Sequence, residues 1–184
     1  MITITYFVHG TTTDNEQGKA TGWLPGELSE RGIEQSEKLP KQITDNSFEV
    51  VFCSDLGRAI DSARLGFGDT HTIAIDKRLR EANYGEYNGR EHVFKDKMAD
   101  FIEKPFSGGE SYGDVERRIK SFLDMLKLDY PGKHIAIVAH EAPQLALEVL
   151  VNGKTWREAI ETNWRKTKAW QPGWTYSVEE GDKS

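Results

Sequence analysis

Two histidines in this chain each close an apolar run. His9 follows Ile2-Thr-Ile-Thr-Tyr-Phe-Val8 and precedes Gly10 and three threonines, and His140 follows His134-Ile-Ala-Ile-Val-Ala139. A neutral imidazole is a competent nucleophile toward phosphorus, and its phosphoramidate product hydrolyses readily. Arg58 lies in Ser54-Asp-Leu-Gly-Arg-Ala59, near the first turn of a predicted helix. A guanidinium there can hold a phosphoryl group bidentately while the helix amides point the same way. Glu81 sits in Leu79-Arg-Glu-Ala-Asn-Tyr-Gly-Glu-Tyr87. A carboxyl buried among aromatics can keep its proton at neutral pH and act as a general acid. Taken singly, each residue has an ordinary reading: His9 and His140 as surface or capping histidines, Arg58 paired with Asp55 or Asp61, Glu81 as an exposed loop acid.

The elements that must position these groups follow from periodicity. Residues 2–8 alternate and are rich in β-branched and aromatic side chains, which predicts a strand ending at His9-Gly10. Thr11 to Lys19 is polar and aperiodic, a loop. Ser29 caps a helix that ends near Pro40, and Glu49-Val-Val-Phe-Cys53 is a short strand leading to Ser54-Asp55 as the N-cap of the helix bearing Arg58. Thr72–Ile75 is a further strand and Leu79–Gly89 an aperiodic stretch, followed by a helix around Val93 to Ile102. Val115, Ile119, Phe122 and Leu126 recur at helical spacing. His134–Ala139 is the clearest buried strand, with helices through Leu145–Leu150 and Trp156–Trp164 and a closing strand over 173–178. Strands alternating with helices imply an α/β fold of three layers, doubly wound, its sheet mainly parallel with helices on both faces. Residues 1–178 read as a single domain and 179–184 as a polar tail. Ligands of such open sheets bind beyond the carboxyl ends of the strands, and three separate segments deliver His9, His140 and Arg58 to that edge.

The 184 residues carry a formal net charge of −6 and one cysteine. That balance disfavours nucleic-acid binding, which needs a basic face, and a lone Cys53 excludes an internal disulfide framework. No apolar run approaches the roughly 20 residues of a membrane span, and no targeting segment is evident, so a cytoplasmic protein is expected. Cys53 and Arg58 are separated by four residues where a cysteine-phosphatase loop needs five, which leaves Cys53 as a buried strand residue. A metal site from His9, Asp14 and His140 ranks low, and no glycine-rich nucleotide fingerprint occurs. Trp156, Trp164, Trp170 and Trp174 crowd the last part of the chain and read as packing of the last helix and strand, with a self-association surface as the lesser reading.

The order of these fragments resembles the histidine phosphatase superfamily, the phosphoglycerate-mutase-like enzymes. Phe7-Val8-His9-Gly10-Thr11-Thr12 with Asn15 is similar to the opening motif, and Val51 to Ala59 to the segment that carries the arginine. Thr21–Trp23 to Leu28–Gly32 fits the stretch between them. Leu79-Arg80-Glu81 with Tyr84–Gly89, then Gly109-Glu110-Ser111 with Val115 and Arg118, and Val138-Ala139-His140 continue the match to about residue 150. The resemblance implies a phosphomonoesterase that needs no metal or cofactor and acts on a small phosphorylated substrate. His9 would attack phosphorus, Glu81 would protonate the leaving oxygen, and Arg58 and His140 would hold the outer oxygens. Thr12 and Asn15 would be secondary donors, and Gly10 and Glu141 would border the phosphate.

Two departures from the pattern stand out. Val8 stands where the family has an arginine before the nucleophilic histidine, and His140 is followed by Glu141-Ala-Pro143 where a small residue is common. Losing a charged donor aimed at the transition state costs on the order of 10²–10³ in rate. Two readings follow: a phosphatase in which Arg80, Arg64 or a threonine substitutes for the missing arginine, or a nearly inactive member that binds an anionic ligand. Retention of His9, Glu81, Arg58 and His140 together favours the enzyme. The substrate and the oligomeric state are not legible.

Overall fold

The computed structural model describes residues 1–166 and 173–179. Chain order gives β1 (Ile2–Val8), α1 (Thr13–Glu16), β2 (Lys19–Ala20), α2 (Glu30–Lys38), β3 (Val51–Cys53), α3 (Gly57–Phe67) and β4 (Ile73–Ile75), then β5 (Arg90–Glu91), α4 (Tyr112–Asp129), β6 (His134–Ala139), α5 (Glu141–Leu150), α6 (Trp156–Glu161) and β7 (Trp174–Val178). The main sheet runs β4-β3-β6-β1-β7, parallel throughout except for β7, which pairs antiparallel with β1 at the edge. β2 and β5 form a separate two-stranded ribbon.

Side-chain alternation explains why helices cover both faces. Ile2, Ile4, Tyr6 and Val8 of β1 join Ile135, Ile137 and Ala139 of β6 in one apolar cluster with Ile119, Phe122 and Leu126 of α4 and Leu145 of α5. Phe7, Val51, Cys53, Ala136 and Val138 face the other way, against Leu39, Ala63 and Phe67 on the α2 and α3 side. Each large side chain buried this way contributes about 1.5–3 kcal/mol. A one-residue slip would turn both sets onto the wrong face, so the register is fixed from two sides. The doubly wound architecture read from the sequence is the one present.

Local differences have identifiable causes. The stretch expected as a loop after Thr11 holds α1, because Thr12 and Asn15 close a reciprocal capping box. α3 begins at Gly57 with Leu56 at its N-cap and no side-chain cap, since Ser54 and Asp55 are engaged elsewhere. The helix expected around Val93 to Ile102 is a broken 3₁₀ stretch over Lys95–Phe101, interrupted by the non-helical backbone of Lys97. Trp156 packs on Tyr112 and donates Nε1 to Glu116, and Trp164 contacts Trp174. Trp170 and, beyond Glu179, the polar tail lie outside the described residues. Among those described, no helix is long and apolar enough to cross a membrane.

Candidate active site

β1 and β6 are adjacent and parallel, with Val8 opposite Ala139, so the residues that follow them emerge side by side. The His9 amide continues the ladder onto Ala139 O at 3.0 Å, and the two imidazole centroids lie 5.0 Å apart. Tyr6 Oη clamps His140 from below, donating to its carbonyl at 2.6 Å and accepting from its amide at 3.0 Å. His9 Nδ1 lies 2.7 Å from Gly10 O. A carbonyl can only accept, so Nδ1 carries the ring hydrogen and Nε2 keeps its lone pair. Burial, and then the neighbouring Arg58 charge, hold the His9 pKa well below its ordinary 6.5. His9 is therefore a neutral imidazole with an unprotonated Nε2, which is the nucleophilic form.

Arg58 is buried and not paired with either aspartate. Its Nε donates to His9 Nε2 at 3.3 Å, while Nη1 donates to Leu24 O and Pro25 O and Nη2 to Gly22 O. The bidentate fork expected toward phosphate is thus turned largely onto backbone carbonyls. Glu81 is also buried, at the N-terminus of α5. Oε1 accepts from the amides of Ala82 (2.9 Å) and Ala142 (3.0 Å), and Oε2 accepts from Glu141 N at a longer 3.3 Å. Burial and then the Glu141 charge raise its pKa, against the two amides on Oε1 and Arg58. The proton of the neutral acid belongs on Oε2, the less engaged oxygen. The Glu81 carbonyl is fixed by Trp23 Nε1 at 2.7 Å and Arg118 Nη2 at 3.0 Å.

His140 Nε2 shares a 2.6 Å hydrogen bond with Ser54 Oγ at the end of β3, and its Nδ1 is buried without a partner. Burial and the Arg58 charge keep it neutral as well. A cavity of about 240 Å³ is bordered by His9, Asn15, Thr21, Arg58, Glu81, Tyr84, Glu141 and Arg165, with Lys19, His92 and Lys95 at its rim. Asn15 spends Oδ1 on the Thr12 amide, which leaves its Nδ2 for the cavity. Thr12 borders no part of the cavity and instead caps α1. Gly10 is likewise outside it. Its amide donates to Ser62 Oγ, and a Cβ there would lie 2.2 Å from Gly32 O, so glycine permits close packing of β1 on α2.

The substitutes expected for the missing arginine are elsewhere. Arg80 forms a bidentate pair with Asp55 and stacks over Trp23 at 4.5 Å, and Arg64 borders no part of this cavity. The second guanidinium is Arg165, beside Trp164 in the tryptophan-rich segment read chiefly as packing. It pairs with Glu141, which Asn163 also contacts. Arg165 carried no sequence signal, because it lies in an aperiodic stretch after the last matched motif. Thr21 was missed too, and its buried Oγ has no partner. Cys53 is buried in β3 with its thiol pushed up to about 12, a packing residue.

The family model described as histidine phosphatase superfamily (branch 1) matches residues 6–167. Phosphoserine phosphatase 1 of Hydrogenobacter thermophilus is 28% identical over 158 residues, covering 80% of this chain and 74% of that protein. The adenosylcobalamin/alpha-ribazole phosphatase of Escherichia coli strain K12 is 30% identical over 145 residues, covering 72% and 70%. The crystal structure of the alpha-ribazole phosphatase from Shigella flexneri superposes with a TM-score of 0.77 at 27% identity, over 88% of this chain and 85% of that one. His9, Arg58 and Glu81 border one cavity, while His140 is wholly buried behind it with its ring 5.0 Å from that of His9; with the family match, this chain belongs to the histidine phosphatase superfamily.

Proposed function

We propose that this chain hydrolyses a small phosphomonoester through a phosphohistidine at His9. The observation that carries the reading is the state of His9: Nδ1–H is anchored on Gly10 O, and Nε2 is unprotonated and faces Arg58 in the same cavity as Glu81. Nε2 attacks phosphorus in line while Glu81 gives its proton to the departing alcohol oxygen. Charge on the outer oxygens meets Arg58 and Asn15 Nδ2, which border the cavity, and the buried His140 ring 5.0 Å behind His9. With Ser54 donating to His140 Nε2, that ring's Nδ1 carries its hydrogen and can donate in turn. Water then attacks phospho-His9 with Glu81, now ionised, as base, releasing inorganic phosphate and restoring both residues.

The relatives support the reaction class, being a phosphoserine phosphatase and an adenosylcobalamin/alpha-ribazole phosphatase. Lys19 and Lys95 at the rim suit a leaving group that itself carries negative charge. Incubation with p-nitrophenyl phosphate should yield nitrophenol, and a rapid alkaline quench should trap an acid-labile phosphoenzyme. His9→Ala should abolish both. Turnover that survives His9→Ala would sink the phosphohistidine mechanism, and no turnover in either protein would favour an anion binder.

A further inference from the structure

Arg58 has few hydrogens left for a phosphoryl group. Three of its five are drawn onto the carbonyls of Gly22, Leu24 and Pro25, and a fourth goes to His9. Phosphoryl transfer places developing charge on three outer oxygens, and donors aimed at that charge supply much of the catalysis. The cavity holds one more guanidinium, and its geometry is the reverse of Arg58's. Arg165 engages Glu141 through Nε, and among the described residues neither Nη makes a hydrogen bond. Glu141 and Asn163 are almost wholly buried, whereas 36% of the Arg165 side-chain surface is accessible, and the side chain borders the cavity. The anchored Nε is buried, so the accessible surface belongs to the rest of a side chain that borders the site.

The anchor is built from three residues. Arg165 N donates to Asn163 Oδ1 at 3.0 Å, Asn163 Nδ2 donates to Glu141 Oε1, and Glu141 Oε2 takes the Arg165 Nε, which closes a ring. The guanidinium also lies over the Trp164 ring at 4.8 Å. Glu141 is the first residue of α5, directly after His140, so the ring ties Arg165 to the strand end that carries the second histidine. A carboxylate at that place would repel a phosphate if unpaired, and the ring neutralises it.

We infer that Arg165 is a catalytic residue whose Nη groups bind two phosphoryl oxygens, and that Glu141 and Asn163 are positioning residues which hold it there. This rests on the cavity being the phosphatase site. The test measures kcat/KM on p-nitrophenyl phosphate, inhibition by orthovanadate and thermal melting for Arg165→Ala, Arg165→Lys, Glu141→Gln and His9→Ala. Arg165→Ala should lose about 10²–10³ in kcat/KM, with a parallel weakening of vanadate and partial recovery on adding guanidinium. Lysine keeps the charge without the fork, so Arg165→Lys should keep part of the rate. Glu141→Gln should raise KM and, by removing a charge beside Glu81, move the alkaline limb of the pH profile to lower pH. If Arg165→Ala does not fold, Arg165→Lys decides, and wild-type rate and vanadate inhibition in it overturn the inference. Loss in His9→Ala with none in the Arg165 variants overturns the inference and leaves the phosphatase reading standing; no loss in His9→Ala overturns both.

Discussion

His9 reaches the cavity, with His140 buried beside it, at the ends of neighbouring parallel strands, whereas Glu141 and Arg165 reach it through a ring of side chains closed by Asn163. The first arrangement is held by the backbone ladder, the Tyr6 clamp and two apolar faces packed against the sheet. The second is held by one ion pair and two hydrogen bonds. Strand ends fix where a group sits and tolerate little change in volume. A polar ring fixes where a charge points and tolerates little change in chemistry, since breaking a buried pair leaves one partner uncompensated. Steric substitutions should therefore damage the histidine side, and isosteric neutral ones the arginine side.

Glu81 joins the two halves, because its carboxylate takes amides from its own loop and from the start of α5. Glu81→Gln keeps the shape and removes the transferable proton, so it carries the largest expected effect. General-acid loss costs about 10²–10⁴ in rate, but nitrophenolate leaves without much help. The drop in kcat should be greatest for an alkyl phosphate such as phosphoserine and smaller for p-nitrophenyl phosphate. Parallel measurement on both substrates checks this, and equal losses on the two would remove Glu81 from the proton-transfer role.

The same contrast explains what the sequence revealed. His9 and His140 were legible because the one ends an alternating run and the other a continuous apolar run, and each pattern states both the strand and its end. Glu81 was legible as a carboxyl among aromatics. Arg58 was found by its place at the start of a helix, but the direction of its fork was hidden, since that depends on the carbonyls of the Gly22–Pro25 loop. Gly10 and Thr12 are placed at the phosphate by the family resemblance, yet one packs on Gly32 and the other caps α1. Arg165 was invisible for the opposite reason. It stands 24 residues after Glu141 (165 − 141) and meets it only through the return of the chain after α6. Periodicity reports elements, and a ring of polar side chains between elements has no period.

A purely steric change tests the histidine half. At Gly10 an added Cβ would meet Gly32 O at 2.2 Å and Ser36 Oγ at 2.6 Å, and the first of these is backbone that cannot swing aside. Gly10→Ala should destabilise the protein by about 1–3 kcal/mol. It should also shift the carbonyl that fixes the His9 tautomer, so kcat falls along with the midpoint of urea unfolding. A variant with wild-type stability and rate would show that the strand end has slack, and the proposed contrast between the halves would not hold.

The last effect is a dependence of stability on pH. His9, His140 and His92 all have pKa values below the ordinary 6.5, burial being the first cause in each. Above pH 6.5 these histidines are neutral in both folded and unfolded chains, and stability does not depend on them. As pH falls below 6.5 the unfolded chain takes up protons that the folded chain refuses, and stability drops by up to about 1.4 kcal/mol per pH unit for each histidine. Glu81 works in the opposite sense. Its pKa is raised in the fold, so from the folded pKa down to about 4.5 acidification favours the folded state and offsets part of the loss. Urea unfolding at pH 7.5 and at pH 5.5 should give a lower midpoint at the lower pH. His140→Asn, which removes one of the two strand-end imidazoles, should flatten the difference. A midpoint equal at the two pH values in both the wild type and His140→Asn would mean that these imidazoles are not held neutral, and with that the nucleophilic state assigned to His9 would lose its basis.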